Sequence, residues 1–291
     1  MNTATLLITC DDRPGLVSTF SQFIAANGGN ILDVDQHAED SSGKFFMRLV
    51  YDAGSFALDD KATRMGLDGL ARSIPGLSWQ LFQNTPKPKV ALMCSKTAHC
   101  LYDLLSRHEL GEFSGQIAVI VSNHNDLCEV AEHFGVPFCH VPAPKVDTPD
   151  REQAKAAMEA RHEEIFAEYG VDMVVLARYM QVVSADFCQR WAGRCINIHH
   201  SFLPAFVGAK PYHQAFERGV KIIGATAHYV TANLDQGPII EQDVSHVGRH
   251  NSPEDFVRIG RDTERQVLAR AVRWHLERRV IIHGNRTVVF A

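Results

Sequence analysis

Hydrophobic and polar positions fall into two regimes along the chain, which change near residue 85. In the first, a short apolar run over residues 5–10 predicts a strand, and Asp11-Asp12-Arg13-Pro14-Gly15 behind it is turn chemistry. Leu16, Phe20, Phe23 and Ile24 then recur at helical spacing, and Gly28-Gly29 stops that helix near residue 27. Residues 31–39 and 44–52 predict two strands joined by the turn Asp40-Ser41-Ser42-Gly43. A second helix starts at Phe56, or at Asp59 as its cap, and runs to Ser73. Pro75-Gly76 separates it from a strand over residues 77–83. Strand, helix, strand, strand, helix, strand is the order of a ferredoxin-like α+β unit, here residues 1–85.

Asn84-Thr85-Pro86-Lys87-Pro88-Lys89 is a polar joint stiffened by proline. Beyond it, strands and helices alternate. Strands are expected over residues 90–94, 116–122, 137–141 and 171–177, with helices over 98–107, 126–134 and from 149 or 150 to 168. The run Gln-Ile-Ala-Val-Ile-Val-Ser at 116–122 is near-continuously apolar, as in a parallel sheet. Further strands are expected over residues 221–231 and 239–247. Pro211 begins a short helix, and Ser252-Pro253-Glu254-Asp255 opens a long one that runs to about residue 278. A hairpin over 281–290 closes the chain. Residues 86–291 are therefore expected to form a doubly wound, mostly parallel α/β domain.

One strand of this domain carries chemistry. In Cys195-Ile196-Asn197-Ile198-His199-His200-Ser201, residues two apart share a face. Asn197 and His199 thus project together while the isoleucines hold the core. A carboxamide can donate to a developing oxyanion, and an imidazole can move a proton. Asp235 stands between turn-formers in Ala232-Asn233-Leu234-Asp235-Gln236-Gly237-Pro238, where an exposed carboxylate costs little.

Composition removes several function classes. The net charge of −5 and the lack of a long basic run speak against nucleic acid. No apolar run is long enough to span a membrane, and the first residues lack a signal-peptide pattern. The 7 cysteines are scattered, with no Cys-x-x-Cys, which points to reduced thiols and a cytoplasmic location. The 15 histidines include no His-Glu-x-x-His, so no metal is expected. The first strand–helix turn of the α/β domain, Met93-Cys94-Ser95-Lys96-Thr97-Ala98-His99, has no glycine. A dinucleotide or P-loop nucleotide is therefore not expected there.

The first unit resembles the ACT domain, on Asp12-Arg13-Pro14-Gly15 and Gly28-Gly29-Asn30-Ile31. That resemblance implies an amino-acid effector held by the backbone of Pro14, Gly15, Asn30 and Ile31, and a homo-oligomer. The remainder, from about Val90, resembles the folate-dependent formyltransferases. The likeness rests on Asn197-Ile198-His199-His200-Ser201-Phe202-Leu203-Pro204 and on Leu234-Asp235-Gln236-Gly237-Pro238. It implies a catalytic trio of Asn197, His199 and Asp235, with no cofactor beyond the folate substrate. It places a pterin near residues 176–183, beside Tyr179, Met180, Gln181 and Val183. His200, Lys210, Tyr212 and His213 are expected to close off the acceptor side. An ACT unit ahead of this core, with Phe206-Val207-Gly208-Ala209-Lys210-Pro211-Tyr212-His213, resembles the members that hydrolyse 10-formyltetrahydrofolate to tetrahydrofolate and formate. Formyl transfer to an amine is the alternative. The glycine-free turn, which offers no seat to a phosphorylated amine, favours water.

Overall fold

A computed structural model describes residues 2–145, 147–205 and 211–291. The chain divides into two compact units. One contains the chain up to Lys87 with Glu277–His283 and Val288–Ala291; the other contains Pro88–Leu276 and Gly284–Thr287. The carboxy-terminal strands, expected in the second domain, thus contribute most of their residues to the first.

In the first unit β1 (Thr3–Asp11), α1 (Leu16–Ala26), β2 (Asn30–Glu39), β3 (Lys44–Asp52), α2 (Asp60–Ser73) and β4 (Ser78–Gln83) follow the expected order. The sheet runs β2-β3-β1-β4, with antiparallel neighbours. Gly15, at φ +90, turns the chain into α1, a conformation glycine adopts without strain. Asp59 caps α2 by accepting the Ala62 N–H at 2.7 Å. Alternation divides the sheet residues between two faces. Leu6, Ile8, Met47 and Leu49 pack with Leu16, Phe20, Ile24 and Leu67 of the helices. Leu7 and Phe46 point the other way, onto Ile281 and Phe290. Arg48 shares that second face, where its guanidinium meets Asp33 at 2.6 Å and Asp35 at 3.2 Å. Ile281→Ala is therefore expected to destabilise the protein by about 2–4 kcal/mol, read as a lower urea midpoint. An unchanged midpoint would mean that this face needs no cover from residue 281.

The second unit is built on a sheet of order β11-β10-β9-β8-β5-β6-β7. Its strands are β5 (Lys89–Cys94), β6 (Gln116–Ser122), β7 (Phe138–His140), β8 (Met173–Leu176), β9 (Cys195–His199), β10 (Ile222–Tyr229) and β11 (Ile239–His246). β9, β8, β5, β6 and β7 are mutually parallel, whereas β10 runs antiparallel to β9 and β11 antiparallel to β10. The helices are α3 (His99–Glu109), α4 (Cys128–His133), α5 (Arg151–Tyr169), α6 (Ala185–Arg190), α7 (Pro211–Arg218) and α8 (Pro253–Leu276). α6 was not expected from the pattern. Ser184 caps it, accepting the Phe187 N–H at 3.1 Å, and Phe187, Cys188 and Trp191 bury its inner side. A two-stranded pair, β12 (Val280–His283) and β13 (Arg286–Val289), closes the chain.

Candidate active site

β9 places its polar residues as the alternation requires. Asn197 and His199 share a face, and Ile196 and Ile198 are buried on the other. β10 lies antiparallel beside it, so His228 stands opposite Asn197 and Thr226 opposite His199. The Asn197 amide nitrogen is 3.3 Å from His228 Nε2, and His228 Nδ1 is 2.9 Å from the Tyr229 carbonyl oxygen. A hydrogen on Nδ1 satisfies that carbonyl and leaves a lone pair on Nε2 to accept from the Asn197 amide. The amide is thereby oriented and keeps a second N–H for a ligand.

The loop after β10 folds back so that Asp235 reaches both imidazoles. Its Oδ2 lies 3.2 Å from His199 Nδ1 and its Oδ1 3.6 Å from His228 Nε2. Asp235 has φ +55, a region in which aspartate and asparagine are the most readily accommodated non-glycine residues. The ends of the loop are tied where the Tyr229 N–H donates to the Pro238 carbonyl oxygen at 2.9 Å. Chiefly through the contact with His199 Nδ1, the Asp235 carboxyl is held well below the usual carboxylate range, against its partial burial. The group is therefore an anion at neutral pH. The stability that it contributes is lost only as pH falls below the ordinary carboxylate range and through its depressed value.

His199 is 6% exposed, and its Nε2 is buried with no partner among the described residues. With Nδ1 facing Asp235, that nitrogen is the one left for chemistry. The loop beyond β9 is fixed by Thr226, whose hydroxyl donates to the Ser201 carbonyl oxygen at 2.9 Å and accepts the Leu203 N–H at 3.1 Å.

The remaining expected site residues fall in different settings. Met180 is 56% exposed, Gln181 is half-buried, and Val183 packs partly against the core. The Met180 N–H donates to Ser95 Oγ at 2.9 Å. The Tyr179 side chain lies in the core, with its hydroxyl 3.9 Å from Met158 Sδ. His200 is tilted against His199 with ring centres 5.3 Å apart, and Tyr212 is buried. Burial and the nearby Arg178 push the His200 pKa down to about 4. Lys210 lies outside the described residues. His228 was missed in the sequence, although Thr226 and His228 stand two apart in an otherwise apolar strand, the same signal that marked Asn197 and His199.

In the first unit a cavity of about 280 Å³ adjoins the start of α1, lined by residues that include Arg13, Gly15, Ser18 and Gln36. Pro14 precedes this turn. Asn30 and Ile31 stand at the opposite end of β2, paired with Asp52 and Tyr51, roughly 15–20 Å along the strand from Gln36. Within this unit, then, Gly15 borders the cavity and Asn30 and Ile31 do not.

Comparison with known proteins agrees with this architecture. The ACT domain family matches residues 4–62 and the formyl transferase family matches residues 88–272. A formyltetrahydrofolate deformylase from Synechocystis is 47% identical over 99% of both chains. One from Bacillus subtilis is 43% identical over 98% of this chain and 93% of its own. The crystal structure of a formyltetrahydrofolate deformylase from Pseudomonas syringae superposes with a TM-score of 0.92 at 46% identity, covering 100% of this chain and 95% of that one. The chain, an ACT unit followed by a formyl transferase unit, belongs to the formyltetrahydrofolate deformylases.

Proposed function

We propose that the protein hydrolyses 10-formyltetrahydrofolate to tetrahydrofolate and formate on Asn197, His199 and Asp235. The observation that carries this reading is the buried, unpartnered Nε2 of His199, turned outward by Asp235 on Nδ1, with the Asn197 amide on the same face. Water adds to the formyl carbon, and a C–O bond forms as charge moves onto the formyl oxygen. Asn197 and the Nε2–H of the His199 imidazolium donate to that oxygen; one such donor is worth about 10²–10³ in rate. Asp235 favours that imidazolium by its charge, and the proton that the attacking water gives up passes to Asp235 or to solvent. Collapse of the adduct breaks the bond to N10, which leaves with a proton relayed from His199 or water. Met180 and Val183 give a pterin an apolar surface, and nearby backbone groups read its amide edge. No cofactor beyond the folate takes part.

Regulation by an amino acid belongs to the same proposal. The cavity at α1 combines Arg13 with a helix start that has no side-chain cap, a setting suited to a carboxylate. A homo-oligomer is supported by β2, the edge of its sheet, where Leu32 and Val34 are exposed. The 7 unpaired cysteines fit a cytoplasmic location. One assay tests hydrolysis and its regulation: formate release from 10-formyltetrahydrofolate without any amine, repeated with a panel of amino acids. Formate without an acceptor, at a rate that one amino acid changes, is the expected result. Folate turnover that requires an amine would overturn hydrolysis, and insensitivity to every amino acid would overturn the effector site.

A further inference from the structure

A carboxylate that this reaction does not use lies deep in the second unit. Glu264, in the middle of α8, has 1% of its side chain exposed. Its Oε1 accepts the Tyr212 hydroxyl at 2.7 Å. Its Oε2 lies 2.9 Å from His99 Nε2 and 3.3 Å from Arg178 Nε, the latter a charge contact without hydrogen-bond alignment. Burial alone would raise its pKa; His99, Arg178 and Tyr212 outweigh burial and hold it below the usual value. Burying a carboxylate is costly unless each charge and lone pair is met, and here three other elements supply the partners.

Those partners lead back to the catalytic imidazole. His99 follows β5, Arg178 follows β8 and His200 follows β9. The three strands are parallel neighbours, so the residues gather at one edge of the sheet. His200 stands between His199 and Tyr212, with ring centres 5.3 and 6.1 Å away. Contacts therefore run without a break from Asp235 through His199, His200 and Tyr212 to Glu264. Tyr212 is pressed so closely on α8 that a Cβ at Gly260 would fall 2.1 Å from its ring. Arg178 takes a left-handed backbone, φ +65, which a side chain of this size adopts rarely. The ligand atoms of His99, Cys100 and Glu264 lie within 4.8 Å of one another, as a metal site would require. An ion there is a poorer account: the Arg178 guanidinium already faces Oε2, and burial keeps Cys100 a thiol.

We propose that Glu264 is a positioning residue for deformylation: its hydrogen bond from Tyr212 fixes the Tyr212–His200 wall against His199, so that the space beside the imidazole admits water and excludes an amine. The proposal rests on the deformylase reading. On this account the polar cluster does not touch the folate. It sets which nucleophile fits, and it does so through one aromatic ring locked between a carboxylate and a helix backbone.

The test compares the full-length protein with Glu264→Gln and Tyr212→Phe. Formate is measured alongside the formyl product of hydroxylamine, a small amine probe, by mass spectrometry with enzyme-free rates subtracted. Both variants are expected to lose about 10–10²-fold in kcat, the scale of a misplaced reacting group. The folate KM should stay within about twofold, and the ratio of formylated amine to formate should rise about tenfold. Tyr212→Phe keeps the ring and leaves His99 and Arg178 on the carboxylate, so it is expected to fold with a lowered melting temperature and decides the matter even where Glu264→Gln does not fold. A folded Tyr212→Phe enzyme with wild-type kcat and wild-type product ratio would overturn the proposal. A wild-type enzyme that releases no formate would instead overturn the deformylase reading, and this proposal with it.

Discussion

Asparagine in place of Asp235 is expected to lower kcat by about 10²–10⁴-fold and to leave folate affinity within about threefold. The change is almost pure charge. Asparagine tolerates the left-handed backbone at φ +55 as aspartate does, so the loop has no reason to move. What is lost is the anion 3.2 Å from His199 Nδ1. Without it the ring is free to turn, and the imidazolium that donates through Nε2 has no counter-charge. Single-turnover kinetics with equilibrium folate binding separate the two effects. Near-normal turnover in Asp235→Asn would remove the carboxylate from the mechanism.

Alanine at Gly237 is expected to cost about 10²-fold in kcat without touching a catalytic side chain. Its Cβ would fall 1.8 Å from the Tyr229 carbonyl oxygen, and backbone cannot step aside as a side-chain tip can. The neighbouring Tyr229 N–H to Pro238 carbonyl bond, which ties the loop, would have to open or shift. Asp235 sits two residues away, so the strain reaches the carboxylate first. Overpacking of this kind destabilises by about 1–3 kcal/mol, and the activity loss should exceed what that alone explains. A variant with a lowered melting temperature but wild-type kcat would show that the loop places Asp235 independently of residue 237.

The order of elements was legible because both periods are strong in this sequence. Leu16, Phe20 and Ile24 mark α1, and the unbroken run at 116–122 marks a strand within a parallel sheet. Asn197 and His199 were legible for the same reason, since alternation on β9 sets them on one face. Asp235 came from resemblance, because nothing local says that a loop will fold back onto a neighbouring strand. Glu264 was not legible. It sits in a helix rich in Arg, Asp and Glu, where acids ordinarily face water, and only the tertiary fold brings His99, Arg178 and Tyr212 to it. Ile281 and Phe290 read as a terminal hairpin of the second domain. Their contacts with Leu7 and Phe46 span more than two hundred residues and leave no trace in local pattern. Tyr179 shows the converse: a polar-tipped residue in the expected ligand segment that packing draws into the core.

The most direct test is a structure of the full chain with a non-hydrolysable analogue of 10-formyltetrahydrofolate. The account predicts the formyl oxygen within about 3 Å of both His199 Nε2 and the Asn197 amide nitrogen, with room for one water on the open face of the formyl carbon. A formyl group bound elsewhere, with His199 Nε2 facing no atom of the folate, would contradict it.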